Sequence, residues 1–172
     1  MGLPPLDLDP ALRDAIDRYI LLSNKDEDNR RRGELIRPYL KRCGRNFQLA
    51  PGATIPWPDK CVVGDDVYVG LWSYIGGGDI TLEDRVMIGP HCSLTGGDHQ
   101  FNPEKDDFSA PHKRGPLVIG HGTWMAAGAV VTCGVRVGRA NLIASGAVVT
   151  KDTADYAIMA GVPARQIGSV KP

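Results

Sequence analysis

Four histidines are the side chains best suited to move a proton near neutral pH, and two of them share one polar segment. His99 lies in the sequence GGDHQFNP, near the start of residues 96–116, which also hold His112 and three prolines. A neutral imidazole can take a proton from a weakly acidic hydroxyl at physiological pH. His99 is therefore the candidate general base, and His112 is a candidate contact for a bound substrate. His91 and His121 fall at predicted turn positions.

The cysteines form no recognisable reactive or metal-binding motif. They are far apart in the sequence and include no CxxC pair: Cys43, Cys61, Cys92 and Cys133. This spacing predicts reduced thiols in a cytoplasmic protein, with neither a disulfide framework nor a zinc site. Cys92 and Cys133 fall at positions of a six-residue repeat described below, so we expect no covalent intermediate on a thiol.

The composition narrows the classes of partner. The chain has 172 residues, of which 42% are hydrophobic and 23% charged, and its 20 basic residues balance its 20 acidic ones. This balance predicts no long-range attraction to nucleic acid or anionic membranes. No apolar run reaches the ~18 residues of a membrane span, and the first residues lack the pattern of a secretory signal.

The element that positions these residues is a six-residue repeat. An aliphatic residue recurs every sixth position and is usually followed by a small residue: Leu49, Ile55, Val63, Val69, Ile75, Leu82, Ile88, Leu94, Ile119, Met125, Val131, Val137, Ile143 and Val149. A short strand and a turn, with one side chain pointing inward, produce this period. Three such segments close a triangular coil, and the coils stack by parallel pairing. Extra residues precede Val63 and Leu82, and residues 96–116 interrupt the repeat as a loop extruded from one edge.

The flanking segments are expected to close the ends of the stack. Apolar residues at helical spacing predict one helix over residues 10–23 and a second from about Gly33 to Arg42, shortened by Pro38. We therefore divide the chain into three parts: an N-terminal helical cap (1–46), a parallel β-helix (47–154) with loop 96–116, and a C-terminal tail (155–172).

These motifs resemble the hexapeptide-repeat acetyltransferases, in particular the galactoside, maltose and nodulation-factor O-acetyltransferase group. The likeness rests on the hexads, on GDHQFNP, and on the stretch from GTWMAAGAVV through VVTKD to GVPAR. It implies a mainly β chain that folds as a left-handed parallel β-helix with short N-terminal helices. It also implies that His99 is the catalytic histidine of an acetyl-CoA-dependent transferase.

The resemblance also assigns cofactor and acceptor positions. Trp124 matches the tryptophan that lines the active-site groove, and the other positions match contacts of acetyl-CoA: the pantetheine arm at Ala127 and Ser145, the adenine nucleotide at Thr150 and Lys151, and the phosphates at Arg165. The group carries an acceptor-binding Asn that is missing from VGLWSYIGGGD here. We expect Ser73, Tyr74 or Asp79, together with His112, to contact the acceptor instead, with Asp98 as a candidate orienter of His99.

The interpretation at this stage is direct acetyl transfer to a sugar or sugar-like hydroxyl, without a metal. The resemblance implies a homotrimer with its active sites between subunits. Two alternatives stay open: N-acetylation of an amino sugar or another amine, and a non-catalytic β-helix that serves as an assembly subunit. Some related β-helices resemble zinc-dependent γ-class carbonic anhydrases, but the His-x4-His pair of that family is absent from this sequence.

Overall fold

Short strands wind into a stack of triangular coils. A computed structural model describes residues 9–11 and 23–171 of the chain. Within them the strands are, in chain order, β1 (Arg42–Cys43), β2 (Gln48–Leu49), β3 (Cys61–Val63), β4 (Tyr68–Val69), β5 (Tyr74–Gly76), β6 (Ile80–Leu82), β7 (Met87–Ile88), β8 (Ser93–Thr95), β9 (Gly97–Asn102), β10 (Asp107–Arg114), β11 (Leu117–Ile119), β12 (Trp124–Met125), β13 (Val130–Val131), β14 (Arg136–Val137), β15 (Leu142–Ile143), β16 (Val148–Val149), β17 (Ala157–Ala160) and β18 (Arg165–Ser169).

Equivalent strands of successive coils pair in parallel and make three flat faces. Sheet A has the order β1-β3-β6-β11-β14, and sheet B the order β2-β4-β7-β12-β15-β17, with β18 antiparallel at its end. Sheet C has the order β5-β8-β13-β16. The register places Ile119 beside Leu82 of the coil before and Val137 of the coil after.

The interior of the stack is the hydrophobic core. All fourteen aliphatic residues of the predicted repeat are buried, and none is more than 7% exposed. Each inward side chain packs above its equivalent in the preceding coil, so apolar surface is removed from water continuously along the axis. The structure thereby confirms the prediction of a mainly β chain folded as a parallel β-helix.

The N-terminal helix lies earlier in the chain than predicted. Helix α1 spans Asp26–Ile36 and continues as a 3-10 turn over Arg37–Tyr39, so the predicted helix from Gly33 to Arg42 was wrong in both bounds. Three acidic residues occupy the first turn of α1, where the helix dipole favours negative charge. Of the helix predicted over residues 10–23, residues 10 and 11 are helical, and residues 12–22 lie outside the described residues.

Glycine lets α1 sit directly on the first coil. A Cβ on Gly33 would lie 2.1 Å from the carbonyl oxygen of Phe47, so no larger residue fits there without a backbone shift. Arg32 reaches past this contact, and its Nε donates to the Leu49 carbonyl at 2.8 Å. The helix therefore packs against the first coil through backbone contact.

Only one of the three edges of the stack varies in length. The connections from sheet A to sheet B and from sheet B to sheet C are four residues long throughout, for example 64–67 and 70–73. The connections from sheet C to sheet A, which form the C–A edge, differ in every coil: residues 55–60, 77–79, 96–116 and 132–135. The segment predicted as an extruded loop is the longest of them, and it contains β9 and β10 paired as an antiparallel hairpin.

Candidate active site

A cavity on the C–A edge collects residues from three successive connections. Its volume is about 200 Å³. The residues that line it are Trp57 and Lys60 from the first connection, Tyr74, Gly77 and Gly78 at the second, and Gly97, His99, His112 and Arg114 from the hairpin. The stacking of coils thus brings together residues more than fifty positions apart in sequence.

The hairpin presents both of its histidines to this cavity. The rings of His99 and His112 make an edge contact, with centroids 4.2 Å apart and planes at 67°. Farther out on the hairpin, Phe101 and Phe108 make a similar contact at 5.7 Å. Because side chains two residues apart in a strand share a face, both ring pairs lie on one face of the hairpin. His99 and His112, which the sequence suggested for two separate roles, are therefore in direct contact.

Asp98 lies on the other face of the hairpin. It is directly opposite Lys113 in the β9–β10 register, and side chains alternate along a strand. Its carboxylate is thus directed away from the His99 imidazole, and the geometry gives no support to the predicted orienting role. Among the residues described, the neighbour of the His99 ring is His112.

Close backbone contact fixes the base of the hairpin. The N–H of Gly96 donates to the carbonyl of Gly76 at 2.8 Å. A Cβ on Gly78 would lie 2.3 Å from the oxygen of Gly96, and one on Gly97 would lie 2.6 Å from the oxygen of Gly77. The two connections can approach this closely only because both are built from glycine.

A buried thiol supports the hairpin from below. The Sγ of Cys133 is 3.4 Å from the oxygen of Gly96, and the side chain is 8% exposed. In the N-terminal coils, burial raises the pKa of the Cys61 thiol to about 12. Cys133 thus packs beneath the hairpin, and Cys61 belongs to the hydrophobic core.

Two aromatic side chains form the wall nearest the N-terminal coils. Trp57 is 47% exposed, and Tyr74 is half-buried. A Cβ on Gly76 would lie 3.0 Å from the Tyr74 hydroxyl and 3.1 Å from Cε3 of Trp57, so both rings lie against this glycine. Aromatic faces of this kind offer apolar area together with a polar tip.

Sequence reasoning missed Trp57, Lys60 and Arg114 as members of this cavity. The signal that could have found the first two is the extra length before Val63, because it falls on the edge from which the hairpin projects. Arg114 could have been found from the two-residue periodicity that it shares with His112.

Two of the predicted acceptor contacts are placed elsewhere. Ser73 is 1% exposed, and its hydroxyl donates to the Gly89 carbonyl at 2.9 Å and accepts from the Cys92 N–H at 3.1 Å. Asp79 is exposed, and its Oδ1 is 3.9 Å from Nζ of Lys41. The structure thus brings Tyr74 and His112 to the His99 cavity, whereas Ser73 ties two coils together and Asp79 pairs at the surface.

The predicted cofactor positions lie along the later coils. Trp124 is 49% exposed on the outer side of sheet B, between Met87 and Leu142. Ala127 and Ser145 follow strands of sheet B in successive coils, and Thr150 and Lys151 follow β16 on the C–A edge, all four being exposed. Arg165 opens β18, also exposed. Within one chain these six residues are not brought to the His99 cavity.

Neither a metal cluster nor a membrane helix is found in the described part of the chain. Residues 9–11 and 23–171 contain no group of three or more His, Cys, Asp or Glu side chains able to hold a metal ion. Over the same residues, no helix has the length and apolar character needed to cross a bilayer.

Comparisons with known proteins place this architecture among transferases. No protein-family profile matches the chain. A Staphylococcus aureus protein named for a suspected acetyltransferase activity is 30% identical over 155 residues, 88% of this chain and 76% of the relative. The galactoside O-acetyltransferase of Escherichia coli is 25% identical over 170 residues, 98% of this chain and 81% of the enzyme.

Solved structures share the fold. A hexapeptide-repeat acetyltransferase of Vibrio cholerae, solved with acetyl-CoA, superposes with a TM-score of 0.71 at 23% identity, over 94% of this chain and 88% of that one. An N-acyltransferase of Bacillus cereus, solved with dTDP and coenzyme A, gives a TM-score of 0.66 at 18% identity, over 81% and 89% of the two chains. These likenesses confirm the predicted left-handed hand of the β-helix.

Proposed function

The chain belongs to the hexapeptide-repeat acetyltransferases, and from this membership we propose that it transfers the acetyl group of acetyl-CoA to a hydroxyl of a sugar or sugar-like acceptor. The observation that carries the proposal is the position of His99, on the hairpin β9–β10, at the wall of a cavity with two aromatic side chains. The E. coli relative is a galactoside O-acetyltransferase by name.

His99 acts as the general base in this proposal. Its imidazole takes the proton of the acceptor hydroxyl while the oxygen attacks the thioester carbonyl, and the protonated imidazole returns that proton to the departing thiolate. General-base assistance of this kind contributes roughly 10²–10⁴ in rate. The transfer is direct, because the cavity residues include no cysteine or serine that could carry the acetyl group.

The two substrates would approach from opposite ends of the stack. The cavity opens beside connections 55–60 and 77–79, on the N-terminal side of the hairpin. The positions proposed for the cofactor, Trp124 through Arg165, belong to the coils on the C-terminal side. The acceptor would thus lie toward α1, and acetyl-CoA toward β18, with the reacting atoms meeting at His99.

We further propose a homotrimer that completes the site. The outward residues of sheet B form an apolar row in register: Tyr68, Met87, Trp124, Leu142 and Ile158. Met87 and Trp124 are each about half exposed in the single chain. A face of this kind is a candidate for burial against another subunit. A neighbour packed on this row would bring its His99 toward Trp124.

The second candidate is N-acylation, which the Bacillus cereus neighbour performs according to its name. The chemistry at His99 would be the same with an amine as the nucleophile. An amine, however, is protonated near neutral pH, and the cavity is lined by Lys60 and Arg114 without a carboxylate. This lining favours a hydroxyl over an ammonium group.

The test is thiol release from acetyl-CoA with neutral sugars, sugar phosphates, nucleotide sugars and amino sugars as acceptors. His99→Ala should lower the rate by about a hundredfold or more on the acceptor that is used. His121→Ala, a histidine at a turn outside the cavity, should leave the rate unchanged.

Each outcome decides between the candidates. Release that survives in His99→Ala would remove this histidine as the base. Release with amines alone would favour N-acylation. The third alternative, a non-catalytic assembly subunit, is tested by calorimetry with coenzyme A. A chain that neither binds coenzyme A nor releases thiol would be such a subunit.

A further inference from the structure

The cavity has a charge pattern that the proposed function does not by itself require. We propose that the acceptor carries an anionic group, phosphate or carboxylate, that is bound by Lys60 and Arg114 while the reacting hydroxyl lies at His99. The proposal rests on the proposed acetyl transfer, and it names the class of acceptor.

Lys60 and Arg114 reach the cavity from different connections of the C–A edge. Lys60 ends the 3-10 turn Pro58–Lys60 and is half-buried. Arg114 ends β10 and lies directly opposite Gly97 in the hairpin register. Gly97 also lines the cavity. The two cations thus line one concave surface together with His99.

Neither cation is paired with an acidic side chain of the described residues. Four other basic residues have acidic partners among the described residues: Arg37 with Glu34, Lys41 with Asp79, Arg45 with Asp65, and Arg136 with Glu83. The side chains of Lys60 and Arg114 have no ion pair or hydrogen bond within residues 9–11 and 23–171, and no carboxylate lines the cavity. Of the two acidic residues that follow cavity glycines in the sequence, Asp79 lies beside Lys41 and Asp98 lies opposite Lys113.

The lining of the cavity is positively charged although the formal net charge of the whole chain is zero. A concave surface of one sign concentrates the field, and it attracts a ligand of the opposite sign. Arginine offers a planar donor fork that matches the oxygens of phosphate and carboxylate, and lysine adds a second point charge. An anion would therefore be held by complementary groups that are already in place.

The remaining walls fit the rest of such an acceptor. Trp57 and Tyr74 present ring faces beside the cations, and ring faces suit the apolar side of a sugar. The combination selects a small molecule with a ring, a free hydroxyl and one negative group. A neutral sugar would leave both cations without a partner.

The phosphates of coenzyme A are the competing source of negative charge. Lys60 precedes β3, in the second coil, whereas the positions proposed for the cofactor begin at Trp124 and continue to β18. The hairpin stands between these two groups of residues along the axis. This placement assigns Lys60 to the acceptor, and Arg114 joins it because both line the same cavity. The experiment separates the two cases.

The kinetic arm compares galactose with galactose 6-phosphate and with galacturonate in the thiol-release assay. The proteins are the wild type, Lys60→Met, Arg114→Met and the control Lys113→Met, which lies on the opposite face of the same hairpin. Wild type should use an anionic acceptor at least about tenfold better than galactose, since a hydrogen bond to a charged group contributes about 1.5–3 kcal/mol. Each cavity variant should lose most of this preference, and Lys113→Met should keep it.

The binding arm uses calorimetry with inorganic phosphate and with galactose 6-phosphate, in the presence of coenzyme A. Binding that weakens about tenfold or more in Lys60→Met and Arg114→Met, with an unchanged Kd for coenzyme A, supports the proposal even if the tested acceptors are not turned over. A raised Kd for coenzyme A in these variants would overturn it in favour of a cofactor site. Neutral and anionic sugars bound alike by all four proteins would overturn it as well. Failure of the proposed transfer has a separate signature, namely no coenzyme A binding and no thiol release with any acceptor.

Discussion

The edge contact between His99 and His112 holds the orientation of the proposed base. The ring of His99 has no hydrogen-bonding carboxylate beside it in the described residues, because Asp98 is directed to the other face of the hairpin. The aromatic neighbour at 4.2 Å is what restricts its rotation. Orientation by packing differs from orientation by a hydrogen bond, since another ring can replace the partner.

We therefore expect His112→Ala to lower kcat by about two- to tenfold, the equivalent of the 0.5–1.5 kcal/mol of an aromatic pair. His112→Phe should restore most of the loss, because it keeps the edge contact. Steady-state kinetics with the acceptor that supports thiol release would measure both. A phenylalanine variant as slow as the alanine variant, with a raised KM, would show that His112 instead hydrogen-bonds the acceptor.

Single residues were predicted from the sequence with uneven success. His99, proposed from the motif GDHQFNP, and Tyr74, proposed in place of the missing Asn, line one cavity, and their roles stay predictions. Ser73 was proposed for its hydroxyl, but its side chain points into the coil and hydrogen-bonds the backbone of Gly89 and Cys92. Lys60 and Arg114 were missed because no local pattern joins them, and only the stacking of coils makes them neighbours.

At the scale of the elements, the glycines beneath the hairpin set its position. Gly78→Ala would place a Cβ at 2.3 Å from the oxygen of Gly96, so the hairpin or its neighbour must shift. We expect the free energy of unfolding to fall by about 1–3 kcal/mol, together with a loss of transferase activity. Thermal unfolding and thiol release would measure the two effects.

The control for this substitution is Gly168→Ala. A Cβ at Gly168 would meet the side chain of Ile158 at an ordinary 3.5 Å, so stability and activity should stay unchanged. Equal losses in both variants would mean that the glycine contact does not position the hairpin.

The connection from sheet A to sheet B carries a pH-dependent contact. Asp65 accepts the N–H of Arg45 at 2.7 Å and pairs with its guanidinium at 2.9 Å. These contacts, the backbone hydrogen bond first, hold the pKa of the Asp65 carboxyl below its usual range. A carboxyl whose pKa is lower in the folded state stabilises the fold at pH values above its pKa in the unfolded chain, which is about 3.9. This contribution is lost as the pH falls through the pKa of the folded state.

Asp65→Asn should therefore be less stable than the wild type at pH 7, and the difference should shrink as the pH falls below about 4. Denaturant unfolding at a series of pH values would measure it. Asp66→Asn is the matched control, because the partner of Asp66 is the neutral amide of Asn46. A difference for Asp65→Asn that is independent of pH would contradict the assignment to the ionised carboxylate.

The elements show where a repeat is informative and where it is not. All fourteen aliphatic residues predicted from the period of six are buried, because a coil cannot close unless one residue per hexad points inward. The hairpin was predicted only as a loop, because its residues are polar and its strands do not depend on the core. The bounds of helix α1 were predicted wrongly because its charged first turns carry no apolar stripe that the sequence could show. The position of the helix is fixed instead by contacts with the first coil.

At the scale of the whole molecule, the row on sheet B should decide assembly. Leu142→Glu would put a charge in the middle of the apolar row, next to Trp124. We expect this variant to dissociate and to lose activity, because the proposed site needs a residue from each of two chains. Analytical ultracentrifugation and thiol release would be measured on the same sample.

Thr81→Glu is the control for this variant, since Thr81 is the outward residue of β6 on sheet A. It should keep both the oligomeric state and the activity. An active monomer of Leu142→Glu would refute the shared site.

The confinement of length changes to the C–A edge has a consequence for how such a protein can change over evolution. A segment inserted on this edge leaves the phase of the hexads intact in every later coil, because the chain re-enters sheet A at the same register. The stack is thus an invariant scaffold, and residues 55–60 and 96–116 are exchangeable inserts that meet at one cavity. New acceptor preferences can then be acquired by grafting or lengthening these inserts, at no cost to the core.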